Sequence, residues 1–144
     1  MLFCKEHFPE KLNKIQNQQM KIIINDDIKI SGIQEEFNKV FPYLKLEFFS
    51  GLHNPGMGSA KRFIKNNSLT LGDCRRIHTT GNIIITPVMT VTELEQCFGN
   101  IYGLGVQVFR QSGKTWLETS VTDGWTLEEQ NRQGEELSKS HSDK

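Results

Sequence analysis

Two neighbouring stretches hold most of the residues that could do chemistry. Residues 51–62 read GLHNPGMGSAKR and residues 74–78 read CRRIH. In the first, glycines free backbone N–H groups, and a helix starting near Ser59 would aim its positive end at them. His53, Ser59, Lys61 and Arg62 then make a candidate anion or phosphate site. The spacing is not that of a Walker A loop, and no dinucleotide-type GxGxxG follows a strand.

In the second stretch, a Cys74 thiolate flanked by Arg75 and Arg76 would be more acidic and more reactive than a free one. Nucleophilic catalysis also needs a base beside the sulfur, and spacing alone does not bring His53 or His78 there. Read as a strand, the stretch puts Cys74, Arg76 and His78 on one face and Arg75 on the other. That is equally an edge strand protected by charge. Arg75 and Arg76 therefore join the anion-site candidates, and no residue is assigned a catalytic role. His7, His53, His78 and His141 are scattered, without HExxH or a cysteine pair. No metal ligand set and no cofactor is predicted.

A third group is apolar. Phe49, Phe109 and Trp116 are a candidate partner-binding set, and the elements that position them explain why. Ile83–Ile85 reads as a buried strand closed by Pro87. Thr90 and Glu93 have capping-box spacing. Val91, Leu94, Phe98, Ile101 and Tyr102 share one helical face, and Gly103 with Gly105 ends the helix. The run from Val106 to Val121 alternates with period two around a Ser112-Gly113 turn. This turn sets Phe109 opposite Trp116, on the face away from Val106, Val108 and Leu117. That face either meets a partner or is covered by Trp125 and the C-terminal segment folding back over it.

The same order occurs earlier. Ile22–Ile24 matches Ile83–Ile85. Ile30, Ile33, Phe37, Val40 and Phe41 match the second helix stripe, with Ser31 and Gln34 as its capping box. Leu44, Leu46, Phe48 and Phe49 match Leu104, Val106, Val108 and Phe109. SLTLGDCRRI then reads as a strand. The expected fold is α+β. Two strand–helix–strand–strand repeats, 21–76 and 82–122, build one mixed, mainly antiparallel sheet of about six strands with helices on one face. A ferredoxin-like arrangement is the simplest way to place them.

The chain has 144 residues, with 17 Lys plus Arg against 17 Asp plus Glu. One domain fits that length, and no global field draws in nucleic acid. No apolar run approaches a membrane span, and the charged N-terminus is unlike a signal peptide. A cytoplasmic location follows. Residues 1–20 are expected to be a flexible extension, 21–134 the domain and 135–144 a disordered tail, with Gly134 ending a short surface helix. Cys4, Cys74 and Cys97 are an odd, widely spaced set. They suggest no disulfide framework, and Cys97 reads as a small core residue.

The pattern VQVFRQSGKTWLETSVTDGWTLEEQN, Val106 to Asn131, resembles one found in small uncharacterised bacterial proteins. The resemblance implies a bacterial, cytoplasmic protein and carries over no activity. The leading expectation is a non-enzymatic protein-binding or regulatory module. Its partner, a second copy or another protein, would use the aromatic sheet face, with no membrane or nucleic-acid role. The alternative is an anion, nucleotide or nucleic-acid binder, or an enzyme, using loop 51–62 with Arg75 and Arg76.

Overall fold

The computed structural model describes residues 19–49 and 62–142, with backbone alone for 140–142. In chain order the elements are β1 (Met20–Ile24), α1 (Ile30–Val40), β2 (Leu44–Phe49), α2 (Leu71–Cys74) and β3 (Gly81–Ile85). Then come α3 (Val91–Gln96), continued as a π-helical turn over Cys97–Ile101, β4 (Gly105–Ser112), β5 (Thr115–Glu118) and α4 (Leu127–Ser142). The α+β class is as expected.

The strands form two antiparallel sheets, β1–β3 and β2–β4–β5. The single sheet of about six strands is not built among the described residues, and a ferredoxin-like layout, with all its strands in one sheet, is not either. One cause is SLTLGDCRRI. Its Thr70 hydroxyl caps the Asp73 N–H at 3.3 Å, and the Asp73 carboxylate accepts from Thr70 N–H at 3.0 Å. That capping box winds Leu71–Cys74 into a turn of helix where a strand was expected.

The isoleucine triplets meet as neighbours, with Ile22 opposite Ile83. Their alternation buries Ile22, Ile24, Ile83 and Ile85 and leaves Ile23 at the surface. Both helix stripes point inward as read. Ile30, Ile33, Phe37 and Phe41 are buried in the first, and Val91, Leu94, Phe98 and Tyr102 in the second. The helices meet β2 and β4 through Leu44, Leu46, Phe48, Val106 and Val108. There the Phe48 and Phe98 rings stand edge to face, 5.8 Å apart.

Capping follows the sequence in α3 and departs from it in α1. Thr90 and Glu93 exchange both bonds of the box, at 3.1 and 2.9 Å. α1 instead begins after Lys29 with no side-chain cap, and Gln34 is drawn off to the Leu46 carbonyl at 2.9 Å. The helix expected to stop at Gly134 runs on through Ser142, so 135–142 is helical where a disordered tail was expected. Its inward stripe is Leu127, Gln130, Gly134 and Ser138. Gly134 is where the helix lies closest to Tyr43 and Arg110, and an added Cβ would sit 2.9 Å from the Tyr43 Cβ.

Candidate functional site

The site is the face of β2–β4–β5 turned away from the helices. The β2–β4 register sets Lys45 opposite Phe109, Glu47 opposite Gln107 and Phe49 opposite Gly105. Side chains alternate, so these six residues share the outer face while Leu44, Leu46 and Phe48 point inward. β5 adds Trp116, opposite Gln111, and Glu118, opposite Phe109.

The hairpin differs from its sequence reading in a way that leaves the face intact. The turn is Gly113-Lys114, not Ser112-Gly113. Gly113 takes a positive φ of 63° at the first central position, as a type II′ turn requires. The expected pairing of Phe109 with Trp116 is therefore not made; Glu118 stands opposite Phe109. The offset is two residues, an even number, so Trp116 stays on the same side as Phe109.

Three phenylalanines run across the face. Phe63 comes from the segment following loop 51–62 and bridges to Phe49. Its ring meets that of Phe49 at 6.0 Å and that of Phe109 at 5.6 Å, both edge to face. Sequence reasoning missed Phe63 because it ran a short helix from Ser59 through Ile64. The missed signal was Phe63-Ile64, an apolar pair after a run of glycine and polar residues. Gly105 allows the close approach, since a Cβ there would overlap the Phe49 ring.

Lys45 completes the set. Its ammonium lies 4.9 Å from the Trp116 ring centroid and 5.6 Å from that of Phe109, and 3.5 Å from the Glu47 carboxylate. Such cation–π contacts hold the aromatic rings and the charge in fixed relation. Phe49, Phe63, Phe109 and Trp116 are all partly exposed. Trp125 does not fold over them. It packs under Arg110, whose guanidinium carbon is 5.6 Å from its ring, on the opposite face.

Beside the rings opens a groove of about 490 Å³, lined among others by Gln34, Lys45, Glu47, Phe63, Lys65 and Phe109. That volume is in the range of ligand-binding clefts. Along it, Ile64 N–H reaches the Phe48 carbonyl at 2.7 Å, and the Asn67 carbonyl accepts from Ser31 N–H at 2.9 Å.

The other candidates divide. His53, Ser59 and Lys61 lie outside the described residues, and Arg62 is exposed. Arg75 and Arg76 do not act together. The Arg75 side chain is fully buried, bonds Asp26 Oδ1 through Nη2 at 3.0 Å and the Tyr102 carbonyl through Nη1 at 3.1 Å, while Arg76 is exposed. Asp26 also takes His78 Nδ1 on its second oxygen at 2.8 Å. This cluster ties the β1–α1 turn to α2 and to the end of the π-helical turn. Its carboxyl is held below the usual range, most by the His78 hydrogen bond, with burial opposing and Arg75 lowering it further.

Cys74 is half-buried, and burial followed by the Asp73 charge pushes its thiol up, the reverse of an activated nucleophile. Cys97 is buried, as expected, but it is disulfide-bonded rather than a free core thiol. No group of three or more His, Cys, Asp or Glu residues placed to hold a metal occurs among the described residues, and none of their helices is long and apolar enough to cross a membrane. No family model, curated protein or solved structure matches the chain.

Proposed function

We propose that this chain is a non-enzymatic binding module whose protein partner docks on the outer face of β2–β4–β5. The observation that carries this is the row Phe49, Phe63, Phe109 and Trp116 with Lys45 set over two of the rings, on a face that no described helix covers. Aromatic residues such as Phe and Trp are enriched in the core of protein interfaces relative to the rest of the surface. The groove beside Phe63 and Phe109 gives the surface a concave region for the partner's side chains.

Affinity capture with the wild-type chain, Phe109→Ala and Trp125→Ala tests the proposal. A specific partner is expected with the wild type and with Trp125→Ala, and is lost with Phe109→Ala. Retention by Phe109→Ala, or equal loss from both variants, would count against the outer face.

We also infer that the two strand–helix–strand units are copies of one unit. Its support is the pairing symmetry. Ile22 pairs with Ile83 and Glu47 with Gln107, and in both pairs the partners occupy matching positions of the two units. Antiparallel pairing of equivalent strands is what an internal two-fold axis produces. The resemblance at Val106–Asn131 supports a bacterial source.

A further inference from the structure

The two edges of the β2–β4–β5 sheet are handled differently. At β2 the outward carbonyls are sealed. Leu44 O accepts from Asn38 Nδ2 at 2.9 Å, Leu46 O from Gln34 Nε2 at 2.9 Å and Phe48 O from Ile64 N–H at 2.7 Å. At β5 no strand lies alongside among the described residues, and Lys114, Thr115, Leu117 and Glu118 are exposed. The bonds on the inner side show which groups point out. Thr119 N–H donates to the Val108 carbonyl at 3.3 Å. Thr115 and Leu117 therefore turn their backbone groups toward β4, while Trp116 and Glu118 turn theirs away. An edge with free donors and acceptors is a template for another strand. β5 contains neither a proline nor an inward-pointing charge to prevent it.

We propose that this edge is a self-association surface, on which β5 pairs antiparallel with β5 of a second copy about a two-fold axis at Leu117. The proposal goes beyond the partner reading above and does not rest on it. The register is the one that uses both outward residues of each strand. Trp116 pairs with the second copy's Glu118 and Glu118 with the second copy's Trp116, exchanging backbone hydrogen bonds in both pairs. Leu117, 45 % exposed in the single chain, then faces its own copy across the axis. On the outer face the second copy's Glu118 comes to lie beside Trp116, where the Lys45 ammonium sits 4.9 Å from the ring, so opposite charges meet. An axis perpendicular to the sheet keeps both aromatic rows on the same side of one continuous sheet. A contact this small makes a weak, concentration-dependent dimer.

Cysteine crosslinking tests the register. In a Cys74→Ser background, Leu117→Cys places two thiols across a non-hydrogen-bonded pair, with Cα atoms about 4.5 Å apart, which is within disulfide reach. Mild oxidation should yield a covalent dimer with Leu117→Cys and none with Thr115→Cys, whose copies lie on opposite sides of the axis. Light scattering tests the association itself. The wild-type mass should rise toward twice the monomer with concentration. Glu118→Pro, which removes an outward N–H and spares the ladder to β4, should stay monomeric with an unchanged circular dichroism spectrum. A wild type that stays monomeric throughout, or Thr115→Cys linking as readily as Leu117→Cys, overturns the proposal.

Discussion

Phe48 and Trp116 stand on opposite faces of one sheet, and truncating each measures what its face is for. Phe48 is 1 % exposed and packs edge to face on Phe98. Phe48→Ala removes a full ring from a filled core, a loss of about 3–5 kcal/mol including the cavity left behind. About 0.5–1.5 kcal/mol of that belongs to the aromatic pair. Trp116 is larger, yet its face is partly in water. Trp116→Ala gives up partial burial and one cation–π contact with Lys45, the latter worth about 0.5–1 kcal/mol at an exposed site. A total near 1 kcal/mol is expected. With a urea slope of about 2 kcal/mol/M for a domain of this size, the Phe48→Ala midpoint should fall by roughly 2 M and that of Trp116→Ala by about 0.5 M. Equal shifts, or a larger one for Trp116→Ala, would mean that the outer aromatics are core. The binding-face account would then lose its basis.

Three further outcomes follow from the geometry. Asp26 has its folded pKa depressed, so its contribution to stability is fully present above the unfolded value and is lost as pH falls through the folded one. Asp26→Asn should therefore flatten the acid side of a stability–pH curve measured by urea titration; parallel curves for variant and wild type would refute this. Gly134→Ala gains helix propensity of about 1 kcal/mol, but its Cβ would sit 2.9 Å from the Tyr43 Cβ and 3.1 Å from Arg110 Cγ. Overpacking costs about 1–3 kcal/mol, so thermal unfolding should show a net loss, and a stabilised variant would show that α4 does not dock there. Gln130 is fully buried, donates to the Thr122 carbonyl and hydroxyl at 2.7 and 2.9 Å, and accepts from Arg110 Nη1 at 2.8 Å. Gln130→Ala strands these partners and should cost roughly 2–4 kcal/mol in chemical unfolding; a change under about 0.5 kcal/mol, the range of ordinary surface substitutions, would show that these bonds do not hold α4 in place.

What could be read in the sequence was periodicity. The steps Ile30, Ile33, Phe37, Val40, Phe41 and Val91, Leu94, Phe98, Ile101, Tyr102 mark a helix face because only one spacing buries them together; eight of the ten are buried, and Val40 and Ile101 are partly buried against the core. Alternation about the expected hairpin turn likewise put Phe109 and Trp116 on one side of a sheet, and the match between the two units added Phe49. Strand order was not legible, because alternation says which side a residue faces and nothing about its neighbour. The α4 stripe escaped notice for a different reason. Leu127, Gln130, Gly134 and Ser138 look like a solvated face. The helix docks through hydrogen bonds and close backbone approach, including Tyr43 N–H to Asn131 Oδ1 at 2.8 Å, and not through an apolar stripe. In the candidate site, Arg75 looked like a free cation because its partner, Asp26, is 49 residues away in the chain. Thr70 and Asp73, in contrast, carried a readable capping signature that the strand reading of SLTLGDC overrode.

The most direct test of the binding face is photocrosslinking in the native host with a benzophenone amino acid at Phe109, in the middle of the aromatic row, and at Val121, an exposed position in the loop between β5 and α4. The account predicts an adduct to a different protein from position 109 and none from position 121. Adducts from position 121 alone, or from neither position, would contradict it.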